Sequence, residues 1–169
     1  MLVLGLDPGL AIMGYGLAMG DGQSLTAVDY GVVRTEAGLP LPDRLLHLRA
    51  ELQHLLAARR PDAVAVEKLY FANNARTAFA VGQARGVILL TLAEAGLPIA
   101  EYTPLQIKQA ATGYGQADKR QVQEMVRLLF GLDEIPRPDD AADALAVCLC
   151  HLHCIRFQAA AARADAEAL

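Results

Sequence analysis

The chain has 169 residues, of which 54% are hydrophobic and 20% are charged, so it is typical of one globular domain rather than a disordered segment. Its formal net charge of −4 argues weakly against a nucleic-acid partner. The apolar runs are too short to span a membrane, and no basic stretch marks a signal peptide. The three cysteines between Cys148 and Cys154 do not form a disulfide framework. We therefore expect a cytoplasmic protein without membrane contact.

Hydrophobic periodicity and turn residues predict strands that first form a hairpin and later alternate with helices. Because strands that alternate with helices pair in parallel, we expect a mixed α/β sheet flanked by helices. The predicted strands are Leu2–Leu6, Tyr15–Met19, Leu25–Val33, Asp62–Val66 and Pro98–Tyr102. The predicted helices run from Pro42 to Arg60, Asn74 to Ala95, Pro104 to Ala111, Asp118 to Phe130 and Asp139 to Phe157, and an Ala-rich, disordered tail follows over 158–169.

Two carboxylates directly follow predicted strands. Asp7 comes after the first strand and Glu67 after the fourth, and the carboxyl ends of neighbouring parallel strands are where sites form in such sheets. Asp7 alone could equally be a turn residue, since Pro8 and Gly9 follow it at once.

The stretch PDDAADALAVC places Asp140 and Asp143 three residues apart on one face of the last helix. Acidic residues in a first turn can simply favour the helix dipole, and Asp139 can be a cap. Small neighbours would let this helix approach the sheet closely, so that both carboxylates could face Asp7 and Glu67; these neighbours are Ala141, Ala142, Ala144 and Ala146.

Four crowded carboxylates repel one another, and a hard divalent cation such as Mg²⁺ or Mn²⁺ would relieve the repulsion. Two such ions can support phosphodiester hydrolysis. The segment from Lys68 to Arg127 carries seven basic and four acidic residues, so an anion-binding face is possible inside an acidic chain, although solvated surface charge is the simpler reading.

The motifs LGLDPG, AVEKLYFANN, GQARGV, QIKQAATGYGQADKRQVQ and DAADALAV follow one another between Met1 and His153. In this order they resemble the RuvC family of bacterial Holliday junction resolvases. The resemblance implies a single ribonuclease-H-like domain over residues 1–157, with a mixed five-stranded sheet. It also implies a homodimeric endonuclease with two Mg²⁺ per subunit, which Mn²⁺ can replace. Such an enzyme cuts four-way junction DNA symmetrically in recombination and repair, and its partners are RuvA and RuvB.

The resemblance also assigns residues. It places the metal-binding and catalytic acids at Asp7, Glu67, Asp140 and Asp143. It matches a base-contacting aromatic residue to Tyr70 or Phe71. The predicted DNA contacts are completed by Arg76, Lys108, Lys119 and Arg120.

Some features allow two readings. The stripe of Ala75, Ala78, Phe79, Gly82 and Gly86 could pack on the chain's own sheet or form a dimer seam. The run CLCHLHC looks like a zinc site, but helical geometry spreads its side chains around the axis, which favours buried cysteines. An actin-like ATPase and a non-catalytic junction-binding protein are the rival functions, although no second phosphate hairpin is evident and all four acids are present.

Overall fold

Strands and helices alternate in the second half of the chain, as the sequence predicts. In a computed structural model, the described residues are 1–20, 24–69 and 75–167, and the side chains of 75–77 and 158–167 are not described. Within these ranges the strands are β1 (Leu2–Asp7), β2 (Ile12–Gly20), β3 (Leu25–Arg34), β4 (Ala63–Glu67) and β5 (Ile99–Tyr102). The helices are α1 (Leu41–Arg59), α2 (Ala75–Glu94), α3 (Pro104–Thr112), α4 (Lys119–Leu129) and α5 (Asp139–Glu167).

The strands form one mixed sheet in the order β3-β2-β1-β4-β5. β1 pairs with β2 and β2 with β3 in antiparallel fashion, whereas β1–β4 and β4–β5 are parallel. The predicted five-stranded mixed sheet is therefore confirmed. β2 begins at Ile12 rather than Tyr15, because Ile12 pairs with Arg34 and Gly14 with Asp7, and the glycines of this strand weaken its local signal.

Helices cover both faces of the sheet. One core lies between the sheet and α3, α4 and α5, where Val3, Ala65 and Leu149 are buried. The other lies beneath α1 and α2, where Leu6 and Val66 are buried. Because side chains alternate along a strand, the residues that follow Leu6 and Val66 face α5.

α5 lies unusually close to β1 and β2. A Cβ on Gly5 would stand 2.8 Å from the backbone nitrogen of Cys148, and one on Gly16 would stand 2.8 Å from that of Leu145. A Cβ on Gly14 would collide with the carbonyl oxygen of Asp140. The alanines of α5 between 141 and 146 are fully buried, which confirms the predicted close approach of this helix.

The carboxyl-terminal part of α5 differs from its prediction. The helix continues past Phe157 as far as Glu167, so the backbone is helical over most of the segment expected to be a disordered tail. Its alanines have the highest helix propensity of any residue, and they extend a helix whose first half is anchored in the core. None of the helices in the described ranges has an apolar stretch of the length that crossing a bilayer requires.

The cysteines of α5 are free thiols. Cys148 and Cys150 are buried, as predicted, and Cys154 is partly buried. The Sγ of Cys148 donates to the carbonyl oxygen of Gly16 at 3.2 Å. The interpretation of these residues as small buried side chains is therefore supported for Cys148 and Cys150.

Candidate functional site

Asp7 and Glu67 are the last residues of the neighbouring parallel strands β1 and β4. The preceding residues, Leu6 and Val66, are register partners, so the two carboxyl groups lie side by side at the edge of the sheet. Both face α5, because the side chains before them point into the opposite core.

Asp140 and Asp143 reach this edge from the first turns of α5. Gly14 makes their approach possible, because it pairs with Asp7 in the sheet and lies against the backbone of Asp140. The structure thus brings together all four predicted acids: the charges of Asp140 and Asp143 both act on Asp7.

Burial and mutual repulsion change the acidity of this cluster. Burial, followed by the charges of Asp143 and Asp140, raises the pKa of Asp7 to about 7. Burial, followed by the charges of Asp7 and Asp143, raises the pKa of Glu67 to about 8. A hydrogen bond joins the two carboxyl groups, and it raises the pKa of Glu67 while lowering that of Asp7. Burial and the crowding of negative charge thus favour the protonated form of both carboxyl groups.

Two lysines flank the cluster. Lys119, the first residue of α4, places its Nζ 3.0 Å from an oxygen of Asp143 and 3.5 Å from an oxygen of Asp139. The positive charge of Lys108 on α3 lowers the pKa of Glu67, and it thereby opposes burial and the acidic neighbours, which raise that pKa. The family resemblance predicts Lys119 as a DNA contact, and the sequence contains no signal for its pairing with Asp143, since α4 and α5 meet only in the folded chain.

Asp139 is also more than a helix-terminal acid. It accepts a hydrogen bond from Arg137 at 2.8 Å, and it pairs with Lys119 from the other side. Sequence reasoning treated this residue as a possible cap and missed its place beside the cluster.

The donor chemistry of the cluster fits a hard divalent cation, because every member offers carboxylate oxygens and the surrounding burial disfavours unneutralised charge. Across the residues that the structure describes, however, no three Asp, Glu, His or Cys side chains converge as a preformed metal cage. One predicted ligand, Asp143, is paired with the ammonium of Lys119.

The remaining predicted DNA contacts lie around the cluster or outside the described part of the chain. Arg120 is exposed in the first turn of α4, beside Lys119. Tyr70 and Phe71 fall outside the described residues, and Arg76 lies in the first turn of α2 with a side chain that is not described. Sequence reasoning assigned no role to Tyr114, which is 59% exposed in the turn between Lys108 and Lys119.

The glycine stripe of α2 faces away from the sheet. Ala84, Ile88 and Leu92 form the buried side of this helix. A Cβ on Gly82 or Gly86 would meet no atom within 4 Å. Phe79 and Leu90 are 73% and 57% exposed. Gly82 and Gly86 thus do not pack on the chain's own sheet, and an apolar strip is left uncovered.

Comparison with known proteins gives one consistent result. The family model described as crossover junction endodeoxyribonuclease RuvC matches residues 3–151. A crossover junction endodeoxyribonuclease RuvC of Desulfitobacterium hafniense is 57% identical over 157 residues, which are 93% of this chain and 95% of that protein. Its counterpart in Chloroflexus aggregans is 56% identical over 153 residues, which are 90% of this chain and 93% of that protein.

Solved structures agree with the sequence comparison. RuvC of Thermus thermophilus, solved in complex with a Holliday junction substrate, superposes with a TM-score of 0.85 at 37% identity and covers 93% of this chain and 96% of its own. A yeast mitochondrial Holliday junction resolvase gives a TM-score of 0.67 at 16% identity, covers 93% of this chain and 78% of its own, and shares the fold alone. These likenesses confirm the predicted ribonuclease-H-like architecture.

Proposed function

Because the chain belongs to the RuvC family of crossover junction endodeoxyribonucleases, we propose that it resolves four-way DNA junctions by hydrolysing phosphodiester bonds at the cluster of Asp7, Glu67, Asp140 and Asp143. The observation that carries the assignment of the site is the meeting of these carboxylates at the carboxyl edge of two parallel strands. Family membership removes the actin-like ATPase as an alternative. The full set of acids argues against a junction-binding protein without catalysis.

The carboxylates are the proposed ligands of Mg²⁺, two ions per subunit, with Mn²⁺ as a substitute. When bound, such ions supply an activated water and Lewis-acid stabilisation of the leaving oxygen. Asp7 and Glu67 would serve as ligands in their ionised form, so metal binding at this pair is linked to the release of protons that the raised pKa values retain. The backbone of Asp140 lies against Gly14 of β2, and this close contact fixes the start of α5, which carries Asp140 and Asp143, beside Asp7.

Lys108, Lys119 and Arg120 are proposed to hold the phosphate backbone of the junction beside this cluster. Lys108 and Lys119 act on the carboxylates from two different helices, so a strand that contacts both lysines would pass over the acidic edge. Arg76 and an aromatic residue, Tyr70 or Phe71, complete the proposed contacts. An aromatic side chain there would stack on an unpaired base.

A homodimer is the proposed assembly, with the strip of Phe79, Gly82, Gly86 and Leu90 as its seam. A four-way junction offers two equivalent strands, and a twofold dimer offers two equivalent sites for them. RuvA and RuvB are the proposed partners in branch migration. A DNA substrate in recombination and repair supports the predicted cytoplasmic location.

Cleavage of a mobile four-way junction tests the proposed function. The full chain, with Mg²⁺, should nick two opposed strands at symmetric positions, and EDTA should abolish the cuts. A linear duplex of the same sequence serves as the control and should stay intact. Equal cleavage of both substrates, or cleavage in EDTA, would contradict the proposal.

A further inference from the structure

The position of Lys119 is unfavourable for a lysine by helix preference, and its side chain is not that of a free surface lysine. It begins α4 directly after the capping residue Asp118, where the positive end of the helix dipole disfavours a cation. Its side chain is 54% exposed, yet its Nζ lies 3.0 Å from a carboxylate oxygen of Asp143. The contact with Asp143 therefore gives Lys119 a partner that α4 itself does not provide.

The two acids beside Lys119 are not equivalent. Asp139 keeps a second cation, because Arg137 donates to it at 2.8 Å. Among the ion pairs of the described residues, Asp143 has Lys119 as its cation. Removal of Lys119 from the cluster would leave Asp139 paired and would free only Asp143.

Phosphate groups are strong competitors for the same ammonium. Lys119 and Arg120 carry two positive charges in the first turn of α4, where helix dipole and side chains attract an anion together. A lysine that is half exposed on one side and paired on the other can exchange its partner by rotation of its side chain alone.

We propose that Lys119 is an exchangeable counter-ion that couples DNA binding to metal binding. Without DNA it neutralises Asp143 and weakens the affinity of the cluster for a divalent cation. When a junction phosphate takes the ammonium, Asp143 is released as a ligand, and the metal binds more tightly. By reciprocity, a bound metal must strengthen junction binding by the same factor.

This inference rests on the proposed function, because it requires the carboxylate cluster to be the metal site. In the structure without metal or DNA, one of the predicted ligands, Asp143, is paired with Lys119. The metal affinity of the free protein therefore provides a readout that is independent of cleavage.

The first experiment titrates Mn²⁺ into the full-length protein without DNA, by calorimetry at constant ionic strength. Lys119→Gln should bind Mn²⁺ about three- to tenfold more tightly than wild type, as expected for the loss of one partly screened positive charge. Arg49→Gln is the matched control, because Arg49 is likewise the cation of a surface ion pair, with Glu94, and α1 lies on the face of the sheet opposite to α5; it should bind Mn²⁺ as wild type does. Lys119→Arg keeps the charge and should also resemble wild type.

The second experiment measures junction affinity in EDTA and in Ca²⁺ at equal ionic strength, with intact DNA verified on a denaturing gel. Ca²⁺ should raise the junction affinity of wild type and Arg49→Gln by about tenfold, within the usual range for coupled sites. In Lys119→Gln the gain should be clearly smaller.

Asp7→Asn tests the proposed metal site separately from the proposed role of Lys119. If Asp7→Asn loses Mn²⁺ binding while Lys119→Gln binds it no more tightly than wild type, the metal site stands and the counter-ion role of Lys119 is overturned. If Asp7→Asn binds Mn²⁺ as wild type does, the proposed metal site itself fails, and the role of Lys119 fails with it.

Discussion

At the scale of single residues, Asp7 and Glu67 are the groups whose chemistry depends most on their surroundings. Each would be an ordinary ionised acid on a solvated turn. Side by side at the sheet edge, beneath α5, both have a raised pKa: burial and the charges of Asp143 and Asp140 raise that of Asp7, and burial and the charges of Asp7 and Asp143 raise that of Glu67. A cluster of this kind is poised to exchange protons for cations.

Asp7→Asn should remove cleavage while it stabilises the metal-free fold. The amide can still bond to Glu67, but it removes one of the repelling charges and cannot serve as an ionised ligand. We expect a loss of transition-state stabilisation of about 3 kcal/mol or more, which is at least about a hundredfold in rate, with junction binding retained. Single-turnover cleavage and thermal melting in EDTA measure the two effects.

Glu51→Gln provides the control, because Glu51 is exposed on α1, which packs on the face of the sheet opposite to α5. It should change neither the cleavage rate nor the melting temperature by much. A near wild-type cleavage rate for Asp7→Asn would show that the metal site lies elsewhere.

At the scale of elements, the site depends on how closely α5 approaches β2. The helix carries two of the four acids, and its height above the sheet is set by glycines on the strand and alanines on the helix. Larger residues at these glycine or alanine positions would move Asp140 and Asp143 away from Asp7, because the strand contacts the backbone of α5 rather than flexible side-chain ends.

Gly14→Ala should therefore both destabilise the protein and impair cleavage. The new methyl group would collide with the carbonyl oxygen of Asp140 and stand 3.2 Å from its Cβ. We expect a loss of about 2 kcal/mol in unfolding free energy, typical of an overpacked site, together with at least about a tenfold slower cut. Urea unfolding and junction cleavage are the measurements.

Gly38→Ala is the matched substitution for this test, since a Cβ at Gly38 meets nothing within 4 Å. It should leave the unfolding free energy nearly unchanged. If Gly14→Ala matched Gly38→Ala in both measurements, the close approach of α5 would not be what orients its acids.

The outward strip of α2 makes a separate prediction about assembly. Gly86→Glu should convert the proposed dimer to a monomer, because a charged side chain would be buried in the seam. The monomer itself should not lose stability, since the site has open space and glycine is the weaker helix former by about 0.8–1.0 kcal/mol relative to alanine. Light scattering coupled to size exclusion gives the mass.

Ala50→Glu on the exposed side of α1 adds the same charge to another helix and should leave the assembly unchanged. A dimer that persists in Gly86→Glu, at concentrations where wild type is dimeric, would place the seam elsewhere.

At the scale of the whole molecule, the acidic cluster makes stability depend on pH. The folded protein retains protons at Asp7 and Glu67 up to about pH 7 and 8, whereas the unfolded chain releases them near their ordinary values of 3.8 and 4.5. The unfolded state thus binds fewer protons in between, and the free energy of unfolding should fall as the pH rises through this range.

Thermal melting in EDTA between about pH 6.5 and pH 8 isolates this effect. Burial lowers the pKa of His151. The pH dependence that His151 adds to stability therefore lies below pH 6.5, its ordinary pKa being about 6.5, and outside this range. Wild type should melt at a lower temperature at the upper end of the range, and Mg²⁺ should restore part of the loss. The double variant Asp7→Asn with Glu67→Gln should show a flatter profile; an equally steep one would assign the pH dependence to other groups.

The sequence by itself determined most elements and the identity of the candidate acids. Apolar periodicity located all five strands, the capping residues Thr103 and Asp118 precede α3 and α4, and the small residues of α5 predicted its close packing. These features could be predicted because each depends on residues within a few positions of one another. The motif order added the family, and with it the assignment of Asp7, Glu67, Asp140 and Asp143.

Only the tertiary structure decided how these residues act on one another. The raised pKa values of Asp7 and Glu67 depend on two strands that are sixty residues apart in the chain becoming neighbours in the sheet. The pairing of Lys119 with Asp143, and the outward direction of Gly82 and Gly86, likewise depend on how whole helices dock. Electrostatic energies and burial are set by distances through space, which local sequence patterns do not encode, and this is why the sequence does not reveal that Lys119, a predicted DNA contact, also lies beside a predicted metal ligand.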